Sequence, residues 1–346
     1  MHTPHEILVA LAEQYAFREV AVLIAQGACG DRLTTRTAAQ VQQLCAFGQR
    51  LLELDAEDFG RPDAAVGAAT DTSFADRVVG DVVPAELLVR ALACRMPQSP
   101  GERHRGALGS LRPAYRLLLE VIDAHWRRRE MSALVAAMHI ASEYGPLLAW
   151  EKVLGHAGDP ARLAAVVTGQ DSAWGDPDDP SCPHTRAEKA AARRSLRVAD
   201  GDSTDWRNYL DRQHSHVAHA LGVCAVECER PCRVFTRLSQ ADEASVVAGS
   251  RLALAFITSP IVRLRHSAPV GHGFGVPSPA EVLDAWEASR ARLGRLTADG
   301  LADDGFPLPG LTRLFSAIAG TPLTPDTLLA DTAAAVVNAL STEETG

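Results

Sequence analysis

Helix-start signals recur along this chain, and they limit what it can fold into more than any other feature. Residues 3–6 (Thr-Pro-His-Glu) and 278–281 (Ser-Pro-Ala-Glu) each combine an N-cap hydroxyl, a proline at the first helical position and a glutamate three residues after the cap. In this capping box the side chains and the backbone satisfy each other's unpaired groups. Residues 185–188 have the same reciprocal form, and Thr324 with Pro325 predicts the start of another helix.

Apolar residues recur at intervals of three and four after these signals. One such stripe follows residue 6, a second begins at Leu117, and a third continues after Glu130. This spacing is typical of amphipathic or buried helices. Two short segments, 232–238 and 257–264, are rich in branched or aromatic residues, so strand signals are poor. The sequence predicts an all-α fold, a multi-helix bundle of about a dozen helices.

The length of the chain and its irregular segments predict two packed subdomains. A chain of 346 residues is long for one helical core. The acidic, proline-rich residues 169–184 are the most natural boundary, as a linker or loop. We expect an N-terminal helical subdomain over 1–168 and a C-terminal helical subdomain over 185–341. Residues 58–82 and 97–106 also lack a helical period and are expected to form loops.

Charge and targeting signals narrow the classes of partner and location. The net charge is −9, without the basic footprint of a nucleic-acid-binding protein, so no nucleic acid is expected as a partner. The first twenty residues lack the basic region and cleavage site of a signal peptide. No uninterrupted run reaches the roughly 18 apolar residues of a membrane span. We therefore expect a cytoplasmic protein with no membrane association, whose seven cysteines are thiols or metal ligands.

Cysteines and histidines are concentrated in residues 214–232, which read HSHVAHALGVCAVECERPC. Cys224, Cys228 and Cys232 are spaced by four, which places them on one face of a continuous helix. Pro231 predicts instead that this helix ends near Cys228 and that Cys232 lies in the first turn of the next helix. A thiol at a helix N-terminus is more easily deprotonated, and the thiolate is the form that binds metals.

Cys182 lies in the irregular loop before His184 and is the natural fourth ligand. Four thiolates suit a [4Fe–4S] cluster or tetrahedral zinc, and three thiolates with a histidine suit zinc. The leading hypothesis is a helical protein that binds an iron–sulfur cluster, or zinc, through Cys182, Cys224, Cys228 and Cys232. It would serve redox sensing or an enzymatic step, with a redox partner or a small molecule of unknown identity.

Two alternatives need no cysteine-bound metal. Free cysteines pack like small hydrophobic residues, so the chain is alternatively a metal-free helical interaction or scaffold protein with buried thiols. A helical-bundle non-haem iron oxidase is the second alternative, with Glu120, His139, Glu143 and Glu151 as candidate ligands. Because the sequence lacks the E-x-x-H motif of such bundles, the preferred interpretation is that Glu120, Asp123 and Glu143 form ion pairs on exposed faces. Their expected partners are Arg116, Arg127, Arg128 and Arg129.

Three histidines precede the cysteines on the same predicted helix. His216 and His219 are three apart and share an α-helical face, whereas His214 faces partly away. His216 and His219 could join a cysteine in a mixed metal site. They could equally lie on a solvated helix surface.

The segment from Tyr144 to Glu151 is expected to form either a pocket wall or a helix corner. Gly145 and Pro146 predict a break in the helix at this point. A broken helix with aromatic side chains such as Trp150 and a carboxylate can line a pocket. It can equally be a corner between two helices.

Residues 263–275 are a candidate binding loop for a cofactor or small molecule. Arginines recognise anions through two parallel hydrogen bonds, and glycines let the backbone approach a ligand closely. The alternative is an ordinary loop between helices. No strand precedes the segment, so it does not predict a nucleotide site, and no hydrolase, metalloprotease or kinase motif is present in the chain. The candidate ligand-binding side chains in this loop are Arg263, Arg265, His266 and His272.

Overall fold

All regular secondary structure in the described residues is helical, which confirms the all-α prediction. Twelve of the helices there have eight residues or more, in agreement with the expected dozen. The structure is a computed structural model. It describes residues 3–28, 32–55, 82–167, 206, 210, 213–227, 238–267, 275–298 and 300–341.

The described helices are numbered in chain order. They are α1 (Pro4–Glu13), α2 (Phe17–Ala25), α3 (Thr35–Leu52), α4 (Ala85–Cys94), α5 (Gly106–Gly109), α6 (Arg112–Arg127), α7 (Met131–Leu154), α8 (Pro160–Val167), α9 (Ala218–Val226), α10 (Gln240–Ile257), α11 (Pro260–Arg263), α12 (Pro279–Gly294), α13 (Leu311–Ala319) and α14 (Leu328–Ser341). A π-helical turn over Gln213–Val217 leads into α9, and a 3₁₀ turn over Leu264–Ser267 follows α11.

Of the three predicted capping boxes, those at Thr3 and Ser278 are formed, and residues 185–188 lie outside the described residues. The hydroxyl of Thr3 accepts from the Glu6 backbone N–H at 3.2 Å, and Ser278 does the same with Glu281 at 3.2 Å. In both, the glutamate accepts in return from the N–H of the cap residue. These starts depend only on contacts three residues apart, so local sequence determines them.

The prediction that Thr324 begins the last helix is wrong, because α14 begins at Leu328. The N–H groups of Leu329 and Ala330 donate to the Glu120 carboxylate of α6, each at 3.0 Å. The donors of this helix end are therefore satisfied by a side chain from a distant helix. A hydroxyl next to the helix is not needed in that position.

Two hydrophobic cores lie on either side of α6. Leu117 and Val121 of α6 pack in the first core with α1 to α4 and α14, whereas Leu119 and Ile122 pack in the second with α7 and α9 to α13. The C-terminal helix α14 therefore packs among the N-terminal helices. Helices from both sides of the predicted linker share the second core. Residues 169–184 themselves lie outside the described residues, and the subdomain boundaries stay a prediction.

The predicted break at Gly145 and Pro146 is wrong, because α7 continues through both residues. Gly145 lies directly against α10, where an added Cβ would come within 3.2 Å of the Ala253 Cβ. One turn later Trp150 is fully buried and donates its indole N–H to the Leu221 carbonyl at 3.2 Å. Tertiary packing on several sides thus holds the helix across the hydrogen bond that proline removes.

One segment in the described ranges, Gln240–Arg263, is long and apolar enough to cross a membrane by length and composition. Half of that window is buried inside the protein. It covers α10 and α11 with the turn between them and contributes Phe256 and Ile261 to the second core. A core helix of a soluble protein has the same properties, so the segment is weak evidence for a membrane.

Candidate functional site

A cavity of about 480 Å³ opens where the two hydrophobic cores meet. Leu54, just after α3, and Ala114 of α6 line it, and both pack against the two cores. Most of the other lining side chains are aliphatic, such as Leu118 and Ile140. An apolar cavity of this size at a junction between packing units is typical of small-molecule sites.

The wall of the cavity next to α5 is fixed by a buried ion pair. The Arg105 guanidinium binds both carboxylate oxygens of Asp159, at 2.8 and 2.7 Å, and lies 5.5 Å from the centre of the Trp206 ring. Trp206 is buried and donates to the Pro97 carbonyl at 2.8 Å. These contacts hold Ala107, which lines the cavity two residues after Arg105. Such support keeps a binding site in one shape.

The polar side of the cavity is a glutamate between two histidines. His139 Nε2 lies 3.0 Å from Oε1 of Glu143, one turn along α7, and His214 Nε2 lies 3.5 Å from Oε2 of the same carboxylate. The three side chains are between 19% and 29% exposed, so water screens them only in part. Carboxylates orient imidazoles in this way wherever one ring nitrogen must be held as a donor.

His214 is left with one nitrogen available to a ligand. Its ring stacks on Tyr144, with the centroids 5.2 Å apart and the planes 28° from parallel. A neutral imidazole that donates from Nε2 carries a lone pair on Nδ1. In the part of the chain that the structure describes, Nδ1 is buried and has no hydrogen-bond partner. An unpaired buried polar atom costs about 1–3 kcal/mol, so a ligand donor that reaches Nδ1 would be bound favourably.

The structure separates His214 from the other two histidines. His214 and His216 lie in the π-helical turn, and His219 lies in α9. His216 and His219 are both exposed, as the solvated-surface alternative expects, whereas His214 is partly buried and lines the cavity. A π turn closes its hydrogen bonds over five residues and occurs frequently at functional sites.

The predicted cysteine site is described only at one of its four ligands. Cys224 is buried in the second core, 2% exposed, and α9 ends at Val226, close to the predicted end at Cys228. Cys182, Cys228 and Cys232 lie outside the described residues, so the four-thiolate site stays a prediction. Within the described ranges, no group of three or more His, Cys, Asp or Glu side chains could hold a metal ion.

The four candidate ligands of the iron-bundle alternative occupy separate places. Glu120 binds the start of α14, and Glu151 binds the start of α6, where it accepts from the Leu111 N–H at 2.7 Å. Only His139 and Glu143 of this set contact each other. The structure therefore does not bring the four side chains together.

The expectation that Glu120 forms an exposed ion pair with a nearby arginine is also wrong. Its side chain is buried, 6% exposed, and its partners are backbone N–H groups. Burial raises the pKa of Glu120 from its ordinary value of 4.5 to about 7, although the two N–H donors act in the opposite direction. Asp123, one turn away, does pair with Arg127 as expected.

The predicted loop at residues 263–275 is described only in part. Arg263 is exposed at the end of α11, and Arg265 is half-buried in the 3₁₀ turn. The His266 side chain and His272 lie outside the described residues. Neither arginine lines the cavity beside His214. A cofactor-binding role for the four residues stays a prediction.

No protein-family model, curated protein or solved structure matches the chain. The cavity and its polar wall are therefore the described features that bear most directly on function, because function is argued from sites and not from fold class.

Proposed function

We propose that the protein binds a small, mainly apolar molecule in the 480 Å³ cavity, with a hydrogen-bond donor of that molecule placed against His214. The observation that carries the proposal is the pair of His214 and Glu143, which line an apolar cavity, together with the buried Nδ1 atom of His214, which lacks a partner in the described residues. A few polar groups in an otherwise apolar pocket orient a ligand and make it specific.

The pairing with Glu143 supports a chemical role as well as a binding role. The carboxylate holds the Nε2–H of His214 and would stabilise the imidazolium formed when Nδ1 takes a proton. A ligand hydroxyl or amine at Nδ1 could therefore lose a proton to His214. This is compatible with the enzymatic step on a small molecule that the sequence hypothesis includes.

Filling the cavity tests the proposal. Ile140 lines the cavity, and Leu283 on α12 does not, yet both side chains are 39% exposed. With 4-phenylbutanol as probe in titration calorimetry, the wild type and Leu283→Trp should bind it, and Ile140→Trp at least about tenfold more weakly. No binding by the wild type, or equal binding by both tryptophan variants, would contradict the proposal.

The cysteine-ligated cluster is a separate proposal, supported by the end of α9 at Val226. Protein purified without oxygen should show a broad band at about 400 nm with iron and acid-labile sulfide. Cys228→Ser should abolish the metal content, whereas Cys45→Ser, in the first core, should not. Bound zinc without visible absorbance would indicate a structural zinc site. Absence of any metal would favour the scaffold alternative.

A further inference from the structure

The charged side chains on the cavity wall point to the charge of the ligand. Asp55, Glu143 and His214 line the cavity, and no lysine or arginine is among the described lining residues. Asp55 forms an ion pair with Arg50 at 2.9 Å. Arg50 is not among the described residues that line the cavity. In the described part of the wall, the charge of Asp55 is balanced by Arg50, and Glu143 is the carboxylate without a lysine or arginine partner.

The partners of Glu143 in the described residues are histidines and not a lysine or arginine. One imidazole Nε2 lies 3.0 Å and the other 3.5 Å from different oxygens of the carboxylate. A carboxylate has about four lone-pair positions, so both oxygens can accept a further hydrogen bond. Because Glu143 is partly buried, its charge attracts a cation more strongly than a fully hydrated carboxylate would.

Aromatic faces on the wall also favour a cation. Tyr144 lines the cavity beside His214, and Tyr115 lines it from α6. The Tyr115 hydroxyl donates to the Ala141 carbonyl at 2.6 Å, so this residue presents ring and not hydroxyl. The electron-rich faces of aromatic rings attract ammonium groups.

Resting on the proposed function, we infer that the ligand is an amine, bound as an ammonium ion on an apolar skeleton. An ammonium group has three N–H donors, so it can bind both oxygens of the Glu143 carboxylate and keep a donor for a further acceptor. A hydroxyl can donate only once. A carboxylate ligand would face Glu143, and no lysine or arginine lines the described part of the wall.

Three probes that share one skeleton test this inference. They are 4-phenylbutylamine, 4-phenylbutanol and 5-phenylpentanoate, titrated calorimetrically into the whole protein at pH 8, above the range in which imidazole ordinarily titrates. The amine should bind at least about tenfold more tightly than the alcohol, because hydrogen bonds between charged groups are roughly twice as strong as neutral ones. The carboxylate should bind at least about tenfold more weakly than the alcohol.

Glu143→Gln tests the assigned carboxylate, since it keeps the size and an acceptor oxygen but removes the charge. In that variant, with its helical circular dichroism unchanged, the amine should bind no more tightly than the alcohol. If the wild type binds the alcohol or the carboxylate as tightly as the amine, the inference is wrong and the cavity proposal stands. If none of the three binds, the cavity proposal fails and the inference fails with it.

Discussion

Glu120 on α6 is buried and Glu143 on α7 is partly exposed, and the two carboxylates have different kinds of partner. Glu120 accepts from two backbone N–H groups at the start of α14. Glu143 lies between two imidazoles, which can gain or lose a proton. Backbone donors are permanent, so they make a carboxylate a structural joint. Titratable donors leave a carboxylate able to respond to a ligand or a proton.

Glu151 shows that the difference does not depend on the helix that carries the side chain. It lies on α7, two turns after Glu143, yet it accepts from the Ser110 hydroxyl at 2.6 Å and the Leu111 N–H at 2.7 Å. Like Glu120, it therefore connects its own helix to the start of another helix. Of the three glutamates, Glu143 alone lines the cavity.

The largest effect is expected from removing the Glu120 joint. Glu120→Ala leaves the Leu329 and Ala330 N–H groups without the carboxylate, and buried unpaired donors cost about 1–3 kcal/mol each. We expect the free energy of unfolding, measured by urea denaturation, to fall by about 3 kcal/mol. Asp123→Ala on the same helix breaks only the pair with Arg127 and should cost about 0.5 kcal/mol or less.

Equal losses of unfolding free energy in Glu120→Ala and Asp123→Ala would contradict this prediction. In that case α14 would be held by its apolar contacts, such as those of Leu329 and Val336, and the buried carboxylate would contribute nothing specific.

The pH dependence of stability is the next largest expected effect. The pKa of Glu120 is about 7, above its ordinary 4.5, mainly because of burial; Asp326 raises it further, and Arg90 opposes the shift. The folded protein therefore binds this proton more tightly than the unfolded chain. The resulting stability is complete below about pH 4.5 and is lost as the pH rises through 7. Relative to Glu120→Gln, the wild type should lose about 2 kcal/mol between pH 5 and pH 7.

Urea titrations of both proteins at pH 5, 6 and 7 measure that difference directly. Subtracting the variant removes the contributions of other titrating groups, such as the buried His125, whose pKa is lowered by burial. A difference that stays constant over this range would show that Glu120 is ionised throughout and is stabilised by its backbone donors.

Local signals predicted the fold where local contacts decide it. The caps at Thr3 and Ser278 formed as expected because their partners are three residues away. The start of α14 was misplaced because its partner, Glu120, is 209 residues from Leu329 in the sequence. The sequence predicts a break at Pro146, and this prediction is wrong because α7 continues through that residue. The packing that holds the helix there comes from distant helices, which the local sequence does not show.

The candidate site was predictable only in pieces. Glu143 and His139 were singled out in one hypothesis and Tyr144 in another, and their proximity to His214 depends on how α7 and the π-helical turn pack together. No residue in the local sequence indicates the π turn in which His214 lies. The cavity itself is a gap between two cores, and a gap leaves no pattern in the sequence.

The smallest expected effect on stability belongs to Glu143, and it is the sharpest test of the comparison. The Glu143 side chain is 29% exposed, and partly exposed ion pairs contribute little, so Glu143→Gln should change the free energy of unfolding by about 0.5 kcal/mol or less. Glu151→Gln on the same helix replaces a 6% exposed carboxylate that binds the Leu111 N–H, and it should cost about 1–2 kcal/mol. Urea denaturation of the two variants side by side measures both. A group that serves binding can be neutralised without weakening the fold. If Glu143→Gln lowers the free energy of unfolding as much as Glu151→Gln does, both carboxylates serve to hold helices together.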